Sequence, residues 1–256
     1  MLNKPSKYEE YQLLAKRLGI QGSLHMEVDV TEEQIMDETA LIEELMLQPH
    51  CLLKGAISAC RPEYNNFPEF LEWAHEKTVI KGLRRVLHVV PDELSQTAIF
   101  KNNIKRLSET NLTFDLCVSA RQLPLACKIV DYCPDVRFIV DHCGVPDIKG
   151  NDFQKWSTNI LELAKRANVY CKVSGIIAYG DPKLWTIDDI RPYFDHVVSI
   201  FGHQRVVWGS DSPVCNLGGN LETWVAATYN LTQDWNKKDR NALYWENAFR
   251  IWKLDQ

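Results

Sequence analysis

The stretch RVVWGSDSPV, residues 205–214, leads from three apolar side chains through Gly209 and Ser210 straight into a carboxylate, Asp211. An acid at the mouth of a core strand is either a turn cap or a catalytic group. The surrounding pattern decides what kind of strand this is. Six further strand-like runs precede it: 22–30 (GSLHMEVDV), 51–59 (CLLKGAISA), 80–90 (IKGLRRVLHVV), 112–120 (LTFDLCVSA), 136–144 (VRFIVDHCG) and 168–175 (NVYCKVSG). With 205–211 there are seven, starting 24 to 37 residues apart, a spacing that predicts repeated β/α units rather than hairpins.

Between the runs lie segments with helical spacing: 31–48, 67–77, 95–110, 123–133, 153–167, 186–202 and 237–254. Strict alternation of helices with apolar, non-alternating strands implies a parallel sheet covered by helices. An open doubly wound sheet and a closed (β/α)8 barrel both satisfy that pattern. No GxGxxG or GxxxxGK[ST] follows any strand, so the doubly wound form lacks its usual mark. Polar residues instead gather at the C-terminal ends of several strands: Glu27 and Asp29, His88, Ser119 and Arg121, Asp141 and His142, Ser174, and Asp211. Convergence of that kind describes the mouth of an α/β TIM-type barrel. Seven strands are one short of closure, and the chain opens on a helix-like segment, residues 8–18. The sequence therefore predicts an incomplete (β/α)8 barrel in which the first strand is missing, with exposed edges near 23–29 and 206–210 that invite pairing into a homo-oligomer.

Length and composition agree with one domain over residues 1–256, since α/β barrels of this size form a single core. A net charge of −5 with no basic run excludes a nucleic-acid partner. No apolar run approaches the roughly 18 residues of a membrane span. The eight cysteines form no CxxC pair and the N-terminus has no signal-peptide core, which points to reduced thiols and a cytoplasmic location.

Side chains alternate along a strand, so parity sorts the polar residues. Asp211 shares a face with Gly209 and Val207. His142 groups with Val140 and Phe138, which leaves Asp141 on the helix side as a turn cap. Ser174 groups with Lys172 and Tyr170, and His88 with Arg84. Each has a plain alternative: Asp211 as a turn acid, His142 as a core histidine, Lys172 snorkelling outward, and one of Arg84 and Arg85 as a surface charge.

The segments VRFIVDHCGVP, NVYCKVSG, RVVWGSDSPV and the terminal ALYWENAFRIWKL, in that order, resemble the amidohydrolase-related TIM-barrel hydrolases, the L-fuconolactonase-like and other sugar-lactone or dicarboxylate-lactone hydrolases among them. The resemblance covers essentially the whole chain. It implies a small-molecule substrate, with Asp211 as the last-strand general base, His142 as the residue that polarises a carbonyl or binds metal, and Arg84, His88, Lys172 and Ser174 in the pocket. It also implies zinc, yet the family's first strand ends in His-any-His and no such pair exists here. His142 and Asp211 alone are an incomplete ligand set, so no tight metal site is expected. Glu27 stands where the family often has glutamine. The implied function is hydrolysis of a lactone of a sugar acid or small carboxylate. A catalytically silent barrel that only binds, and a metal-dependent decarboxylase, are the alternatives.

Overall fold

A computed structural model of the chain describes residues 5–254. Seven strands, β1 (Ser23–Met26), β2 (Leu53–Ala59), β3 (Ile80–Val86), β4 (Thr113–Cys117), β5 (Phe138–Val140), β6 (Val169–Ser174) and β7 (Val206–Gly209), form one sheet in chain order. Every neighbouring pair is parallel. Each strand falls inside one of the runs read from the sequence. β1 and β7 are the two ends of the sheet order, so among the described residues the barrel is incomplete, as expected.

The helices are α1 (Tyr8–Arg17), α2 (Ile35–Met46), α3 (Phe67–Glu76), α4 (Ala98–Lys105), α5 (Leu123–Tyr132), α6 (Phe153–Ala164), α7 (Ile187–Phe201), α8 (Leu221–Leu231), α9 (Lys237–Asn241) and α10 (Asn247–Trp252). α7 shows why such segments are helical. Ile190, Tyr193, Phe194, Val197, Val198 and Phe201 recur at three- and four-residue steps and are buried, and Thr186 with Asp189 forms a capping box at its start. α8 is the one helix that the spacing did not announce. The residues read as a single terminal helix are instead α9 and α10 joined by a π-turn over Ala242–Glu246. No helix among the described residues is long and apolar enough to cross a membrane.

The core has two layers. The larger lies between sheet and helices and takes Leu83, Phe114, Phe138, Val140 and Trp156 among many others. The smaller lies inside the curl of the sheet: Ile57 from β2, Ile139 from β5 and Val207 from β7 meet Ile251 and Trp252 of α10. Contact between strands so far apart in the sheet order requires the sheet to curl on itself. The guanidinium of Arg137, just before β5, donates to the carbonyl of Ile251 at 2.7 Å, which holds α10 at the N-terminal end of the strands. The opposite, C-terminal end is left to the polar residues.

Candidate active site

Arg84, Asp115, Asp141 and Lys172 are buried inside the curl. Lys172 Nζ donates to Asp115 Oδ2 and to Asp141 Oδ1, both at 2.7 Å. Arg84 donates from Nη1 to Asp141 Oδ2 at 3.2 Å, from Nε to Glu27 Oε1 at 2.6 Å and from Nη2 to the Glu27 carbonyl at 2.7 Å. β3, β4 and β6 and the loops after β1 and β5 are thus tied by one ionic chain. Burial opposes every charge in it. For Asp141 burial is outweighed by Lys172, His142 and Arg84, so its carboxyl lies well below the usual range. For Lys172 it is outweighed by Asp115 and Asp141, and the ammonium is stabilised. For Asp115 burial wins over Lys172, and the carboxyl is pushed up to about 6.

Above this chain stand His142 and Asp211. His142 Nδ1 lies 2.7 Å from the Ser174 hydroxyl and 3.6 Å from Asp211 Oδ1. Asp211 Oδ2 is buried without a hydrogen-bond partner. Burial raises the Asp211 carboxyl, against the opposing pull of His142. Both residues sit on left-handed backbone, His142 at φ 49° and Asp211 at φ 52°, a conformation that non-glycine residues rarely adopt and that clusters at functional sites. Tyr179 closes one side, its ring 6.4 Å from the His142 ring in an edge-on arrangement.

The structure brings Asp211, His142, Ser174, Lys172 and Arg84 into one cluster. His88 is exposed, and its Nδ1 lies 3.6 Å from the Sγ of Cys117, a buried neighbour of Asp141 and Arg84. Arg85 points to the other face and pairs with Glu63 at 2.8 Å, and Arg121 pairs with Asp92 at the surface. The sequence reading of β5 was out of step. Phe138 and Val140 face the helices and Ile139 faces inward, so Asp141 is an interior ion-pair centre and not a turn cap. His142 reaches Ser174 and Asp211 because the chain turns left-handed there, which breaks the alternation. Asp115 was missed altogether. It is a lone acid in mid-strand, and nothing in LTFDLCVSA says which face it takes.

Zinc fits this arrangement poorly. Among the described residues no three or more His, Cys, Asp or Glu side chains gather as metal donors. A catalytic zinc uses three protein ligands where His142 and Asp211 are two.

A histidine and a carboxylate at the C-terminal end of a parallel, curled sheet stand where α/β barrels carry their active sites. The chain belongs to the amidohydrolase family, whose model matches residues 4–254. An L-fucono-1,5-lactonase of Burkholderia ambifaria is 28% identical over 181 residues, which are 69% of this chain and 62% of that protein. An L-rhamnono-gamma-lactonase of Scheffersomyces stipitis is 24% identical over 200 residues, 69% of this chain and 60% of that one. The aligned part therefore spans less than two thirds of either lactonase. In fold, the chain is similar to a crystal structure of an amidohydrolase from Burkholderia multivorans with bound zinc, with a TM-score of 0.91 and 22% identity, covering 99% of this chain and 90% of that one.

Proposed function

We propose that this protein hydrolyses a lactone of a sugar acid or similar small carboxylate, with Asp211 as general base and His142 as its electrophilic partner. The observation that carries the reading is the buried Asp211 carboxylate, its Oδ2 free of any protein partner and its Oδ1 3.6 Å from His142. A carboxylate in that state accepts a proton from water more readily than an exposed one, because burial destabilises its charge. The relation to the two lactonases supports the substrate class.

In this reading a water between Asp211 and the substrate loses a proton to Asp211 as its oxygen attacks the lactone carbonyl. The reading takes the Ser174 hydroxyl, 2.7 Å from His142 Nδ1, as the donor of that pair, which puts the ring proton on Nε2, where it is offered to the carbonyl oxygen. The Lys172 ammonium adds a second donor to the developing oxyanion. Collapse breaks the ring C–O bond, and the proton on Asp211 passes to the departing alkoxide. The product is the open hydroxy acid. No step passes through a metal.

The test is turnover of a panel of aldonolactones by the purified 256-residue chain, with a chelator and with added zinc, beside Asp211→Asn. We expect hydrolysis that is indifferent to zinc and falls by about 100-fold or more in the variant. A folded protein that opens no lactone on the panel, or an undiminished Asp211→Asn, overturns the reading.

A further inference from the structure

We propose that Asp115 is a positioning residue for the reaction, acting through Lys172: it and Asp141 clamp the ammonium from two sides so that the one uncommitted N–H faces the reacting carbonyl. The role rests on the lactone-hydrolase reading of the same cluster of residues.

A lysine ammonium has three donors on a flexible four-carbon stem, and one ion pair leaves it free to swing. Here two donors are consumed at 2.7 Å each by carboxylates from different strands, Asp115 in β4 and Asp141 after β5. Asp141 cannot follow the lysine, because Arg84 holds its other oxygen. Asp115 is anchored as well. Trp252 Nε1, in α10 at the far end of the sheet, donates to Thr113 Oγ1 at 3.1 Å, and Thr113 Oγ1 donates to Asp115 Oδ1 at 3.5 Å. A line of hydrogen bonds thus runs up the interior from the closing helix to the lysine. Gly209 leaves room for the stem, since a Cβ there would lie 3.3 Å from Lys172 Cγ and 3.4 Å from Cδ. Both carboxylates are fully buried while the Lys172 side chain keeps 11% exposure, and in this proposal the donor left free by the two carboxylates is the one turned to the substrate. Asp115 itself, sealed beneath, touches no substrate.

A double-mutant cycle separates positioning from a merely structural role. Asp115→Asn is expected to lower kcat by about tenfold or more with little change in KM, because the displaced donor serves the transition state rather than binding. In a Lys172→Met background the same substitution is expected to change kcat less than about twofold, since the group it positions is gone. The double variant removes Lys172 and Asp115 together and leaves Asp141 paired with Arg84 alone, so its fold is checked beside that of Asp115→Asn by circular dichroism. Equal losses from Asp115→Asn in both backgrounds overturn the proposal. An independent reading needs no turnover: the 1H–15N ammonium resonance of Lys172 in lysine-labelled protein, assigned by its absence in Lys172→Met. We expect it in the wild type and expect it lost to exchange in Asp115→Asn; a resonance unchanged there removes the clamp. If the wild type opens no lactone, the hydrolase reading fails alone, and this resonance still decides whether Asp115 holds Lys172.

Discussion

Gly175 decides where Asp211 can stand. It sits at φ +56° directly after β6, and a Cβ built on it would lie 2.2 Å from Asp211 Oδ2 and 2.4 Å from its Cβ. Glycine is therefore required twice over, by the backbone and by the neighbour. Gly175→Ala is expected to displace the carboxylate and reduce kcat about 100-fold, while circular dichroism still reports a folded barrel. Near-normal kcat in that variant would mean that Asp211 need not be where the structure puts it. At this scale the sequence was legible in β6 and β7, where alternation holds to the strand end and carries Lys172, Ser174 and Gly209 inward. It misled at Asp141 and His142, because parity was counted back from a residue on left-handed backbone, and nothing in VRFIVDHCG marks where the strand conformation stops. Asp115 could not be singled out, because an acid in mid-strand is as compatible with a helix-facing ion pair as with an interior one. Only the partner strands reveal Lys172 opposite it.

Among the elements, α10 closes the end of the sheet opposite the site. Its Trp252 fills the interior beside Ile57, Ile139 and Val207, and its indole N–H reaches Thr113. Trp252→Ala is expected to cost about 3–5 kcal/mol of stability, in the range for removing a large aromatic from a core. Urea unfolding followed by fluorescence and circular dichroism measures it; a loss below about 1 kcal/mol would show that the helix is not part of the core. Neither this role nor α8 was readable from the chain. The terminal segment reads as one amphipathic helix because the π-turn at 242–246 preserves the recurrence of apolar residues. α8 hides in LETWVAATYNL, where polar and apolar residues mix and β-branched Thr and Val weaken the helical signal. Its clearest mark is the cap, in which the Asn220 side chain accepts from the Thr223 N–H at 2.7 Å.

Over the whole molecule, the alternation of runs was enough for a parallel sheet wound in chain order, because burial on both faces leaves the same mark on every strand. The interior charge pattern is another matter. Glu27, Asp115, Asp141 and Asp211 face two cations, Arg84 and Lys172, and these come from strands or strand ends across the sheet, so no local window of sequence contains the balance. That balance has a consequence for stability. Asp115 is pushed up to about 6 by burial, against 3.8 for the free group. Between these values the folded protein keeps a proton that the unfolded chain has already released. The contribution favours the folded state in full below 3.8 and is lost as pH rises through about 6. Asp141 works in the opposite sense: its carboxyl is depressed, its contribution is present above 3.8, and it is lost only as pH falls through that depressed value. From about pH 4.5 to 6.5 the Asp141 contribution is therefore flat and the Asp115 slope remains. Asparagine at position 115 does not titrate. The stability of the wild type relative to Asp115→Asn, from urea unfolding at both pH values, should accordingly fall as the pH is raised across that window. A relative stability that climbs over the same window would mean that Asp115 is ionised well below pH 6 in the fold, with Lys172 rather than burial setting its charge.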